Sequence, residues 1–248
     1  MPAKQLAQMI KESDNIVFFG GAGVSTENGV KDYRSKDGIY NTEKDFGVPP
    51  ERILSRSFFA ENPEVFYDFY RKYFMSDVKP NSAHKALAKL EEMGKLRAVI
   101  TQNVDNLHFA AGSKNVIELH GNTREFYCNS CKADMPYADA MNEITNGGVP
   151  RCAHCAGAVR PRVVMYEEKL HEGVPELAME YIANADMLIV GGASLLVNPA
   201  ASFIRFFGGK HFVIINKQET PYDYRAELIV RENIGELLER TMAELLAL

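Results

Sequence analysis

The chain has 248 residues, 46% of them hydrophobic and 25% charged, with a formal net charge of −5. This composition excludes a largely disordered chain, and the acidic balance offers no general basic footprint for nucleic acid or an anionic membrane surface. The length suits one large core carrying smaller inserts.

Residues 3–12 place Leu6, Met9 and Ile10 at helical spacing. The first fifteen residues lack the unbroken apolar core of an export signal, so secretion by that route is not expected. A short apolar run at 15–19 leads directly into the glycines at 20, 21 and 23, as a buried parallel strand ending in a turn would. Residues 32–80 are rich in aromatics and carry prolines at 49, 50 and 63, predicting a long loop followed by helices. Residues 84–93 predict a helix with Gly94 as its stop. Further buried-strand runs follow at 96–101, 116–119, 187–190 and 211–216, and 234–248 predicts a helix that docks Ile234, Leu237, Leu238, Met242 and Leu245. Strands alternating with helices predict an α/β, Rossmann-type doubly wound parallel sheet. The longest apolar stretch, 187–197, is broken by two glycines and a serine and falls short of the about 20 residues a membrane helix needs.

All four cysteines lie in 124–160, a segment too poor in apolar residues for a core of its own. Cys128 and Cys131 form one C-x2-C pair, Cys152 and Cys155 a second, with 20 residues between them. Two such knuckles complete a tetrahedron of thiolates with no position left for water, which predicts one structural zinc. Four reduced thiols or a redox pair is the competing reading, and His154 inside the second knuckle reads as a spacer. The glycine turn brings backbone amides close to a phosphate, although a tight turn without a ligand is equally open from the residues alone. Gln102, Asn103 and Asp105 follow a predicted strand, where side chains line the crevice of a doubly wound sheet; Asn103 or Asp105 as a helix N-cap is the alternative. His120 lies at another strand end, as a base or as a structural imidazole.

In combination, GAGVSTENGVKDYR (21–34), TQNVDNLH (101–108), ELHGN (118–122), the four cysteines, GGASLLVNPA (191–200) and INKQETPYD (215–223) closely resemble the sirtuin family, in the family's order and over practically the whole chain. The resemblance implies an NAD-dependent protein lysine deacylase, most simply a deacetylase, that transfers the acyl group to ADP-ribose and releases nicotinamide. It implies Ala22, Ser25 and Thr26 at the NAD phosphates and ribose, and Tyr33 and Arg34 over the nicotinamide ribose. Gln102 would reach the ribose, Asn103, Val104 and Asp105 the nicotinamide, and Ala193 and Ser194 the phosphates. Asn216 and Ile234 would meet the adenosine, His120 and Asn103 would be catalytic with His120 as the general base, and Val163, Val164, Met165 and Tyr166 would pair with the substrate peptide. The chain then divides into a large part (1–31, 81–123, 161–248), a helical and cofactor-loop insert (32–80) and a zinc module (124–160). The expected enzyme is a cytoplasmic monomer acting on acyl-lysine proteins, without nucleic-acid or membrane partners. ADP-ribosyl transfer, NAD hydrolysis and non-catalytic NAD or ADP-ribose binding are the alternatives. Lys31, Tyr33, Asn106, Arg162, Glu167 and Ala193 depart from the family's commonest residues, and Tyr67, Tyr70 and Arg71 lie on the helix that borders the acyl pocket in relatives.

Overall fold

A computed structural model describes residues 1–26, 43–75 and 78–247. Six parallel strands form the main sheet: β1 (Ile16–Gly20), β2 (Leu96–Thr101), β3 (Val116–Glu118), β7 (Met187–Gly191), β8 (His211–Ile215) and β9 (Leu228–Val230), in the order β3-β2-β1-β7-β8-β9. Counted within this sheet alone the order is 3-2-1-4-5-6, the doubly wound arrangement whose ligand crevice opens where the winding reverses, between β1 and β7.

Period-two alternation of the strands divides the core into two layers. Ile16, Phe18, Met187, Ile189, Val213 and Ile215 pack beneath α1 (Pro2–Glu12), α6 (Ser82–Glu92) and α10 (Ile234–Leu246). Val17, Phe19, Leu188, Val190, Phe212 and Ile214 face α9 (Val174–Asn184) and the 3-10 turn at Ala200–Phe206. Both faces are covered, which explains why these strands read as unbroken apolar runs. Helix α6 begins two residues before its predicted start, because Asn81 caps it by accepting from the His84 N–H at 3.1 Å. Gly94, at φ +74°, stops it.

The cysteine segment builds a second, three-stranded sheet: β5 (Asp134–Met135), β4 (Gly121–Cys128) and β6 (Val159–Val163) in that order, with α8 (Tyr137–Thr145) packed against it. Its few apolar residues are not a separate core. Phe126, Ala140, Ile144 and Val159 join one cluster with Ile53, Phe59, Phe66, Phe69 and Tyr70. Most of the helical partners come from α3 (Pro50–Ile53), α4 (Arg56–Glu61) and α5 (Pro63–Tyr73), preceded by the short α2 (Glu43–Phe46). The two inserts therefore share a single apolar interior.

A buried ion pair locks β6 to the segment that follows it. The Arg160 side chain, 1% exposed, donates twice to the Glu168 carboxylate at 2.7 Å and once to the Val163 carbonyl at 2.7 Å. It lies between the rings of Phe59 and Tyr127. Burial works to raise the Glu168 carboxyl, but the guanidinium and the Met165 N–H outweigh it and hold it below the ordinary range. Glu168→Ala strands a cation in the interior and is expected to lower stability by about 3–5 kcal/mol. A denaturant midpoint measures this; replacing both partners by apolar residues should recover much of the loss.

Candidate active site

The crevice between β1 and β7 holds a cavity of about 1040 Å³ that extends over the carboxyl ends of the strands to the helical insert. Its floor is two glycine turns packed against each other. Gly23 N–H donates to Gly192 C=O at 2.8 Å, and a Cβ on Gly23 would sit 2.7 Å from Gly192 Cα. Gly192 itself has φ +57°. Only glycine allows backbones this close, and the turns leave Ala22, Thr26, Ala193 and Ser194 on the cavity wall.

His120 follows β3 and precedes Gly121, whose φ of +72° and position 1.9 Å from Arg162 O for any Cβ require glycine. The imidazole Nδ1–H donates to the Gln102 carbonyl at 3.0 Å. With that nitrogen committed as donor, Nε2 carries the lone pair, the tautomer a base needs. Burial pushes the His120 imidazole below its usual pKa, and the Gln102 bond only partly opposes this. The neutral form therefore persists to more acid pH than in a free imidazole of pKa about 6.5. In a reaction that uses His120 as base, the acid limb of kcat against pH is expected below 6.5; a limb above 7 would contradict this environment.

Of the residues named from the sequence, Gln102, Asn103, Val104, His120, Asn216, Ile234, Val163, Val164, Met165 and Tyr166 line the cavity with the four turn residues above. Ser25 and Asp105 stand behind the wall. Ser25 is fully buried and gives its hydroxyl proton to Asp105 at 2.7 Å, while Asn103 Nδ2 donates to Ser25 at 3.2 Å. The Ser25 hydroxyl is thus engaged by a carboxylate and an amide, one from each side of the Asn103–Asp105 loop. Asp105 also accepts from Leu107 N–H at 3.0 Å, at the start of α7 (Leu107–Ala110), so it serves as a local turn cap as well. Lys31, Tyr33 and Arg34 lie outside the described residues.

The peptide-edge residues are already partly paired. Val164 N–H donates to His120 C=O, and Tyr166 exchanges bonds with Leu54 and Arg56. Glu167 adopts φ +73°, unusual for a side-chain-bearing residue, and its carboxylate accepts from Ser57 N–H at 3.0 Å and Ser57 Oγ–H at 2.8 Å. Arg162 turns away to Glu125 and Asp134. The sequence reading singled out Tyr70 on this helix but passed over Phe66 and Phe74: the three aromatics, spaced four apart, line the cavity with Leu54 and Thr123. That spacing was the available signal. Tyr67 instead donates its hydroxyl to Val159 C=O, and Arg71 is engaged by Asp68, Ile144 C=O and Gly148 C=O.

The four cysteine sulfurs lie within 4.8 Å of one another, with Cys128–Cys155 at 3.5 Å and Cys131–Cys152 at 3.6 Å. Tetrahedral zinc with Zn–S near 2.3 Å needs about 3.8 Å between sulfurs. The two knuckles are the same turn used twice: Lys132 N–H donates to Cys128 C=O and Ala156 N–H to Cys152 C=O, with φ of 65° and 58°. Gly157 leaves room for the cradle, since its Cβ would fall 3.1 Å from Cys128 Sγ. The Ala133 amide favours a Cys131 thiolate, yet the neighbouring sulfurs push that thiol up to about 12, a repulsion that a divalent cation removes. The donor set fits structural zinc, and His154, exposed in the second knuckle, is not among the four.

A switch-point crevice with a phosphate-type turn, a tautomer-fixed histidine and a closed thiolate quartet defines a nucleotide-using enzyme with a structural metal module. The Sir2 family model matches residues 21–199. A protein of Clostridium tetani named NAD-dependent protein deacetylase is 50% identical over 245 residues, covering 98% of each chain. A Sir2 variant with histidine replaced by alanine, solved with deacetylated p53 peptide and 3′-O-acetyl ADP-ribose, superposes with TM-score 0.90 at 38% identity over 98% of both chains. A Sir2 structure with p53 peptide and NAD+ gives 0.87 at 38% identity, also over 98% of both. The chain belongs to the Sir2, or sirtuin, family.

Proposed function

We propose that this protein is an NAD-dependent protein lysine deacetylase, with NAD consumed as co-substrate and the acyl group passed to ADP-ribose. One observation carries the reading: His120, its Nδ1–H pinned on Gln102, shares a single cavity with the glycine turn at one end and the Val163–Met165 segment at the other. The ligands of the Sir2 structures, NAD+ and p53 peptide in one and acetyl ADP-ribose with deacetylated peptide in another, are the reactants and products of such a reaction.

In this reading the dinucleotide lies over Gly21–Gly23 and Gly192–Ser194, and Asn103 and Val104 hold the nicotinamide end. The acyl oxygen of a modified lysine attacks the ribose carbon as nicotinamide leaves with the bonding electrons. Neutral His120 then takes a proton from a ribose hydroxyl, whose oxygen attacks the acyl carbon; water completes release of the free lysine and an acyl ADP-ribose. Asn216 and Ile234 serve the adenosine end, and the Phe66–Tyr70–Phe74 face shields the acyl group from solvent. Zinc, held by Cys128, Cys131, Cys152 and Cys155, supplies structure and no step of the reaction. The division into a large part and two inserts accompanies this reading, with β4 and β6 running across the two ends of 124–160. A cytoplasmic, monomeric enzyme accompanies the reading; the clustered cysteines, suited to metal in a reducing compartment, support the location only. No helix of the described residues is long and apolar enough to cross a membrane.

The test is mass spectrometry of an acetyl-lysine peptide incubated with the protein, with and without NAD. Loss of the acetyl mass only with NAD, matched by nicotinamide and acetyl ADP-ribose, supports the proposal. Nicotinamide release from an unchanged peptide supports ADP-ribosyl transfer or NAD hydrolysis instead, and no NAD consumption leaves a binding module.

A further inference from the structure

The reaction leaves two buried imidazoles without a task. His84 on α6 is fully buried and His108 on α7 is 2% exposed, with ring centroids 4.7 Å apart. His84 Nε2, both nitrogens of His108 and Asn106 Oδ1 are all buried without a hydrogen-bond partner. Four buried polar atoms without a protein partner point to internal water, since leaving such groups unsatisfied would cost about 1–3 kcal/mol each.

Their valences can be assigned. His84 Nδ1 lies 2.7 Å from Asn81 Oδ1, an acceptor, and 3.4 Å from the Asn81 backbone N, a donor; the shorter contact favours the proton on Nδ1, which leaves the lone pair on Nε2. The same Asn81 donates through Nδ2 to Val24 C=O at 2.7 Å, inside the glycine turn. His108 has one N–H to donate and one lone pair to fill, and Asn106 Oδ1 is a further acceptor. A water between the two rings would accept from one His108 N–H and donate to His84 Nε2, and the other His108 nitrogen needs a water of its own; two to four polar partners are what holds an internal water. Burial lowers His84 to about 4 and His108 to about 3, against a smaller opposing pull of Asp105 on His84, so both rings stay neutral at working pH.

The location gives the cluster a role. His108 packs against Phe18 of β1 on one side and His84 on the other, three residues after Asp105. Asp105 in turn holds Ser25, which holds Asn103. We propose that His84 and His108, bridged by buried water, are positioning residues that join the glycine turn to the Asn103–Asp105 loop and fix the nicotinamide end of the site. This rests on the NAD-dependent reading above. The rings touch no reacting atom; they act through Asn81 on the turn and through α7 on Asp105.

The test separates positioning from plain packing. His108→Phe replaces the imidazole by a larger, wholly apolar ring and takes the water's partner from His84 Nε2, so a somewhat lower melting temperature is expected while the protein stays folded under assay conditions. Its KM for NAD should nevertheless rise about tenfold, with KM for acetyl-peptide changed less than twofold, and His108→Gln should recover most of the loss. A crystal structure of the parent should show ordered water within hydrogen-bond reach of His84 Nε2 and His108. An unchanged KM for NAD in His108→Phe, or a dry contact between the imidazoles, overturns the proposal. So does a parallel fall of every parameter with melting temperature that Gln does not rescue. If the parent binds NAD without deacylating peptide, the functional reading fails alone, and calorimetric NAD affinity carries the same comparison. If it does not bind NAD, both fail.

Discussion

His120→Ala should leave a folded protein that binds NAD and turns over acetyl-peptide about 10²–10⁴ times more slowly, the usual contribution of a positioned base. The effect should fall on kcat, because the nearest structural duty of the side chain is a single bond to Gln102 C=O and the Val164 tie uses the His120 backbone. Nicotinamide exchange, which precedes the proton transfer assigned to His120, should survive better than deacetylation. The comparison is a steady-state deacetylation assay beside exchange of labelled nicotinamide into NAD. Equal losses in both would move His120 from base to scaffold; near-normal deacetylation would remove it from the mechanism.

Removing zinc should have an effect at least as large, although the metal takes no part in the reaction. The thiolate quartet closes a segment whose Phe126, Ala140, Ile144 and Val159 pack into the same cluster as Phe66 and Tyr70. Binding of a structural zinc supplies apparent free energies of about 10–16 kcal/mol at neutral pH. Without it, the wall carrying Phe66, Tyr70 and Phe74 loses its backing. Cys128→Ser, or chelator treatment, is therefore expected to abolish deacetylation and to collapse the near-ultraviolet dichroism of the aromatic helices. Metal analysis should give one zinc per chain in the active protein. Full activity in zinc-free protein would show the two inserts to be energetically independent despite their shared interior.

The main sheet was largely legible because its strands are buried on both faces and stand out as short apolar runs. β9 was not, being three residues, Leu228–Val230, without turn signals beside it. The zinc ligands were legible from spacing, which is local information. The shared interior was not: the apolar residues of 124–160 look too few until Ile53, Phe59 and Phe66, about 60–100 residues earlier, are brought against them. The position of Ser25 illustrates the same limit at the site. A serine after a glycine turn suggests a phosphate ligand, and nothing local in the sequence announces its bond to Asp105, 80 residues away. The family resemblance supplied chemical roles that spacing alone left open between ligand, cap and scaffold.

The sheet order also sets a timetable for synthesis. β1 lies in the middle of the sheet, between β2 and β7, so Ile16 emerges early but pairs with Leu96 on one side and Met187 on the other. At translation rates of about 5–20 residues per second, the roughly 170 residues separating Ile16 from Met187 correspond to about 9–34 s. For that interval the most apolar strand near the start of the chain, IVFFG, has one flank without its final neighbour. Shielding of the nascent chain during this window then bears on soluble yield independently of the stability of the finished sheet.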